Sequence, residues 1–179
     1  MTHALRLLAF ALVLGATLSV SACDADPKVA SSLDLECFQG RWYEIARIPR
    51  DYDAACHDTV ADYRLTRPGA LELTHRCHLG STTGPLSQFR APATVDDPAV
   101  QAKLSLQIGL YRGDYWVLEV GPDYDYAVIG HPSLTMLWVL SRKPTLDPGT
   151  YRELVEHAQR EGFATASLRM TPQSGTTSP

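Results

Sequence analysis

Apolar and polar residues alternate with a period of two along most of the chain between about residues 40 and 142, in short runs broken by Gly, Pro and Asp. Successive side chains of a strand point to opposite faces, so this pattern predicts strands with one buried face each. Eight are predicted: Arg41 to Ile48, His57 to Leu65, Ala70 to His78, Ser87 to Val95, Ala102 to Ile108, Asp114 to Val120, Tyr124 to Gly130, and Met136 to Arg142. Five of the links, Arg67-Pro68-Gly69, Asp96-Asp97-Pro98, Gly109 to Gly113, Gly121-Pro122-Asp123 and His131-Pro132-Ser133, carry turn-forming Pro, Gly or Asx residues. Short links join antiparallel neighbours, which predicts an up-and-down order.

The period changes to that of a helix after Asp147, an N-cap followed by Pro148 at N1, with Tyr151, Leu154, Val155 and Ala158 on one stripe and Gly162 as the stop. Arg152, Glu153, Glu156 and Arg160 fall off the stripe, so the helix is expected against the wall of the sheet. A short ninth strand is expected near Ala166 to Met170. Alternation alone suits a sandwich with a solid core as well as a closed barrel with a pocket.

At the N-terminus Arg6 precedes a twelve-residue apolar run, Leu7 to Leu18, and then small residues as far as Ala22. Twelve is short of the ~20 residues a membrane-spanning helix needs, and the order of charged, apolar and small segments is that of a signal peptide. Val20-Ser21-Ala22-Cys23 resembles the bacterial lipobox, which implies cleavage after residue 22 and acylation of Cys23. The expected division is a lipoprotein signal peptide over 1–22, lipidated cysteine and tether over 23–32, one domain over 33–170, and a disordered tail over 171–179. With 45% hydrophobic and 20% charged residues the whole chain has the composition of a globular protein, and its net charge of -4 argues against nucleic acid as a partner.

Three blocks then point to a family. Gly40-Arg41-Trp42-Tyr43-Glu44-Ile45-Ala46-Arg47 resembles the first signature of the lipocalins, in the bacterial lipoprotein and apolipoprotein D-like branch of the calycin superfamily. Pro122 to Gly130 resembles the second signature, and Leu137 to Pro144 the third, just ahead of the helix. The resemblance implies an all-β fold: an eight-stranded up-and-down antiparallel β-barrel with one C-terminal α-helix packed on its wall. It further implies binding, storage or transfer of small lipophiles, with no obligatory cofactor.

In such a barrel the first and last strands are neighbours, so Trp42 and Arg142 meet at one end, where guanidinium over indole closes the barrel beside Gly40. With Arg142 inward, period two places Trp138 and Leu140 on the inner face, and likewise Leu104, Leu106 and Ile108, and Leu71, Leu73 and His75. These eight are the expected ligand-binding residues, His75 being a polar contact near the mouth. An apolar calyx suits a fatty acid or lysophospholipid, because affinity comes mainly from buried area. The other partner is the membrane, reached through lipidated Cys23. The lipobox implies a bacterial cell envelope location, anchored and periplasm-facing, and the lipocalin resemblance slightly favours the outer membrane over the inner.

Competing chemistry is thin. Across the Arg67-Pro68-Gly69 turn, Cys56 and Cys77 fall within about two positions of directly opposite, and an oxidising compartment favours a disulfide between them. The same cysteines with His57, His75 and His78 carry zinc-ligand types at poor spacing, so no metal site is expected. Cys37 is left as a buried inert thiol or as the bridge of a homodimer; the alternative, a thiol-dependent enzyme, would use it as nucleophile, and no catalytic residue is expected. A further alternative is a structural lipoprotein whose barrel is filled by its own side chains.

Overall fold

A computed structural model describes residues 26–174. The first element is a single helical turn that periodicity did not signal, α1 (Leu35–Phe38), capped by the Asp34 carboxylate, which accepts from the amides of Glu36 and Cys37. The strands follow: β1 (Gly40–Arg47), β2 (Cys56–Arg67), β3 (Ala70–Leu79), β4 (Leu86–Val95), β5 (Lys103–Ile108), β6 (Tyr111–Val120), β7 (Tyr126–Gly130) and β8 (Leu137–Ser141). Then come α2 (Pro148–Arg160), a 3-10 turn at Thr165–Ser167, and β9 (Arg169–Met170). Consecutive strands pair antiparallel from β2 round to β8, β8 pairs with β1, and β1 pairs with β2, which closes an eight-stranded up-and-down barrel.

The β5–β6 connection is tighter than the predicted Gly109 to Gly113 loop. Ile108 pairs with Tyr111 across two residues, and Gly109 takes the positive φ (+58°) that such a hairpin requires. Helix α2 follows its sequence signals: Asp147 accepts from the Thr150 amide at 2.9 Å, and Gly162 at φ +96° ends it, with the Phe163 amide bonding back to the Ala158 carbonyl. Leu154 and Ala158 are buried against Ile45, Val128, Val139 and Phe163, so a second apolar cluster lies between helix and barrel wall. Among the described residues no helix is long and apolar enough to cross a membrane.

Both ends of the domain extend beyond their expected limits. The stretch read as a tether is fastened to the barrel from Pro27, which is buried; the Ala30 amide donates to the Val117 carbonyl at 3.0 Å and the Lys28 amide to Glu161 at 2.9 Å. The tail expected to begin at Thr171 is bonded in as far as Ser174. β1 and β2 stay paired only from Gly40 to Tyr43, and the chain after β9 occupies the seam beyond. There the Thr171 amide donates to the Ile45 carbonyl, the Asp58 amide to the Pro172 carbonyl, and Gln173 Nε2 to the carbonyls of both Glu44 and Thr59. Cys23, the expected acylation site, lies outside the described residues.

Candidate ligand-binding interior

β1 leads away from α1 towards the loop of residues 48–55, so the up-and-down order gives the barrel two distinct ends. One holds α1, the 68–69 turn and Arg142; the other holds the 48–55 loop, the 80–85 hairpin, the 109–110 turn and the 131–136 loop. The inner wall between them is one continuous buried cluster. Leu71 and Leu73 of β3, Leu104 and Leu106 of β5, and Leu140 and Trp138 of β8 all belong to it, Trp138 being partly buried. The other two residues assigned to the binding face sit higher. Ile108 keeps the phase of its strand but is 43% exposed beside the hairpin turn, and so stands on the rim rather than in the interior. His75 is half-buried, its ring stacked on Phe89 at 4.8 Å.

The α1 end is plugged. The Arg142 guanidinium lies 3.8 Å from the centroid of the Trp42 ring, and Trp42 is fully buried with its indole N–H donating to the Phe38 carbonyl at 2.8 Å. Gly40 sits at φ +91°, where a Cβ would come within 3.3 Å of Arg142 Nη1. A larger residue there would combine backbone strain with displacement of the guanidinium.

The other end carries a buried polar cluster that the sequence did not announce. A register shift in the β1–β8 pairing between Glu44 and Ala46 breaks the alternation, and Arg47 is buried. Its Nη1 donates to Glu44 at 2.5 Å and to Thr171 at 2.9 Å, and its Nη2 to the carbonyls of Asp53 and Cys56. Asp53, from the 48–55 loop, accepts from the Arg50 amide, and its pKa is raised by burial although the bonds from Arg50 and Arg47 oppose this. Burial lowers the His75 pKa to about 4, with Arg47 lowering it further and Asp53 opposing. His75 is therefore a neutral ring near neutral pH. Around this mouth, exposed apolar side chains include Tyr52, Leu79, Leu86, Ile108, Leu110 and Tyr111.

Between the two ends Tyr63 of β2 and Tyr115 of β6 meet, hydroxyl to hydroxyl, at 2.5 Å. Burial raises the pKa of both well above the usual phenol value. Neither tyrosine is among the expected ligand-binding residues, although Tyr63 is in phase with Ala61 and Leu65, and Tyr115 with Val117. That phase was the available signal.

Other candidate chemistry lies elsewhere. Cys56 and Cys77 form the disulfide, Cα–Cα 5.3 Å, which removes both thiolates from any zinc site, and among the described residues no group of three acidic, His or Cys side chains is placed to hold a metal. Cys37, expected buried or bridged, is a free and exposed thiol. It borders a 550 Å³ surface cleft outside the barrel with Pro122, Tyr124 and Arg142. Its pKa is raised by partial desolvation and by the neighbouring Asp34, the opposite of what an activated nucleophile needs. A second cleft of 410 Å³ lies on the outer wall beside Arg41, Tyr43, Arg76 and His78.

A closed up-and-down barrel with an apolar inner wall, one end sealed by arginine on tryptophan and a helix on the outside, defines a calyx built around its interior. The chain belongs to the lipocalin-like domain family, whose model matches residues 33–173. It is 36% identical over 156 residues to temperature-induced lipocalin-1 of Arabidopsis thaliana, covering 83% of this chain and 84% of that protein. It is 28% identical over 177 residues to the outer membrane lipoprotein Blc of Escherichia coli K12, covering 96% of this chain and 99% of Blc. Insecticyanin from the tobacco hornworm Manduca sexta shares the fold at a TM-score of 0.64 with 20% identity, over 84% of this chain and 86% of that one. The family supports binding of a small hydrophobic ligand, and its members are generally binding and transport proteins.

Proposed function

We propose that the protein carries one small lipophile, a fatty acid or lysophospholipid, in its barrel, and stores or transfers it within a bacterial cell envelope while anchored through acylated Cys23. The observation that carries this reading is the continuous apolar inner wall under a mouth ringed by exposed apolar side chains, which suits a ligand arriving from a lipid phase. The lipobox supports the anchor, and the relatives named as outer membrane lipoproteins support the envelope. Because the chain is fastened to the wall from Pro27, only residues 24–26 separate anchor from barrel, a reach of about 10 Å. The domain is thereby held close to its membrane.

Mass spectrometry of lipid extracted from the purified mature protein tests the reading, followed by titration of the delipidated protein with lysophospholipid and fatty acid. Co-purified acyl lipid and saturable rebinding are expected. Absence of both favours a second reading, a filled barrel acting through its surface, for which the Tyr63–Tyr115 bond across the interior is the supporting observation. Cys23→Ser is expected to release the protein from the membrane; a variant still acylated and membrane-bound would refute the anchor.

A further inference from the structure

β2 and β6 are four strands apart whichever way the ring is counted, so the bond between Tyr63 and Tyr115 is a chord across the barrel. On one side of it lie β3 to β5, with Leu73, Leu106 and the small Ala91 and Ala93; on the other lie β1, β8 and β7, with the bulky Trp42 and Trp138. The first side has the smaller side chains on its middle strand, β4.

Two phenols carry two protons, and one bond between them uses one. Among the described residues neither hydroxyl makes any other hydrogen bond, and the residues are only 3% and 8% exposed. One O–H donor is therefore left over in apolar surroundings, where an unmade hydrogen bond is costly. A ligand oxygen can take it. Its charge is constrained by the buried Glu44 carboxylate of the neighbouring strand β1, whose field acts on both phenols. Arg47, the buried cation of that cluster, is already engaged by Glu44 and Asp53. A free carboxylate at the chord would be a buried charge with one hydrogen bond and no free cation beside it, whereas an uncharged carbonyl needs only that hydrogen bond.

We propose that the Tyr63–Tyr115 hydroxyl pair is a polar subsite that donates to the ester carbonyl of a mono-acyl lipid whose chain lies in the β3–β5 half, and so selects esterified chains over free fatty acids. This rests on the carrier reading and narrows its ligand.

The test uses the delipidated mature protein and three probes of one chain length: a 1-monoacylglycerol, the matching 1-O-alkylglycerol without the carbonyl, and the free fatty acid at pH 8. Binding is read from tryptophan emission, since the Trp138 ring lies 5.7 Å from that of Tyr115. The parent is expected to bind the ester roughly tenfold more tightly than either other probe, as one buried hydrogen bond allows. The double variant Tyr63→Phe, Tyr115→Phe, which removes both hydroxyls and keeps the ring shapes, is expected to bind ester and ether equally. A carbon-13 label on the ester carbonyl is expected to show an infrared band at lower frequency in the parent than in the double variant. Equal ester and ether affinity in the parent, or a double variant that keeps the preference, overturns the subsite and leaves the carrier reading standing. Failure of the parent to bind any probe overturns both. Should the double variant not fold, the parent's carbonyl band decides, and a band at the position it has in hydrocarbon solvent refutes the proposal.

Discussion

The guanidinium of Arg142 lies over the indole of Trp42, 3.8 Å from its centroid, and at the same time donates to four backbone carbonyls, those of Cys37, Phe38, Arg41 and Tyr124, at 2.8–3.3 Å. One side chain thus ties the end of α1, the start of β1 and the loop before β7 to the end of β8. Both effects need a planar, many-donor cation, which lysine does not offer.

Arg142→Ala is therefore expected to lower stability by ~2–4 kcal/mol, from the lost stacking together with the orphaned carbonyls. Arg142→Lys should recover less than half of this. Urea melts of the three proteins check the point. A lysine variant as stable as the parent would show that the carbonyl bracket contributes little and that positive charge alone suffices.

Leu106 faces the interior while Gln107 faces out, so the same charge placed at each has opposite consequences. Leu106→Lys buries an unpartnered ammonium, and is expected to abolish binding of a fluorescent acyl ligand and to lower the melting temperature. Gln107→Lys should leave both within error. Ser105, also outward, is not an equivalent control: it is only 6% exposed and its hydroxyl donates to Asp96 at 2.5 Å, so Ser105→Lys is expected to destabilise as well. Binding curves and melts must be read together. Tight binding by a folded Leu106→Lys protein would place the ligand outside the barrel.

The strands, their order, the helix and the Trp42–Arg142 contact were legible because each depends on local periodicity, on turn residues, or on two blocks brought together by barrel closure. Three features were not. Arg47 turns inward at an irregularity in β1 pairing, and nothing in Glu44-Ile45-Ala46-Arg47 marks the break in alternation. Tyr63 and Tyr115 are 52 residues apart and meet only because the barrel has eight strands, so neither announces the other. Thr171 to Ser174 have the composition of a frayed end, and what orders them is a gap between β1 and β2 that exists only in the folded barrel.

His75 gives a prediction in pH. Its folded pKa is about 4, below the ordinary 6.5, so the unfolded chain takes up a proton between those values that the folded protein refuses. The parent should lose up to about 3 kcal/mol from this group as the pH falls from about 6.5 to 4, and nothing above pH 7. His75→Phe cannot take up that proton, so the stability difference between variant and parent should grow in the variant's favour as the pH falls through this window. Urea midpoints at pH 7.5, 6, 5 and 4 measure it; a difference that stays flat would mean that the ring protonates freely in the folded state.

The seam between β1 and β2 yields the last prediction. Deleting the chain from Thr171 onward leaves β1 and β2 paired over Gly40 to Tyr43 but strips the buried Glu44 and Arg47 of the Thr171 hydroxyl, and the Glu44 and Thr59 carbonyls of the Gln173 amide. Buried charges that lose hydrogen-bond partners are costly, and the truncation is expected to lower stability by ~2–5 kcal/mol. The loss should be local before it is global: the amide hydrogen of residue 58 reports the seam, and Asp58→Asn, which removes the charge holding Ser174 and suits the positive φ of residue 58, should speed exchange there with a much smaller change in melting temperature. A truncated protein that melts with the parent would show that water replaces residues 171–174 at no cost, and that the seam belongs to the barrel's surface and not to its core.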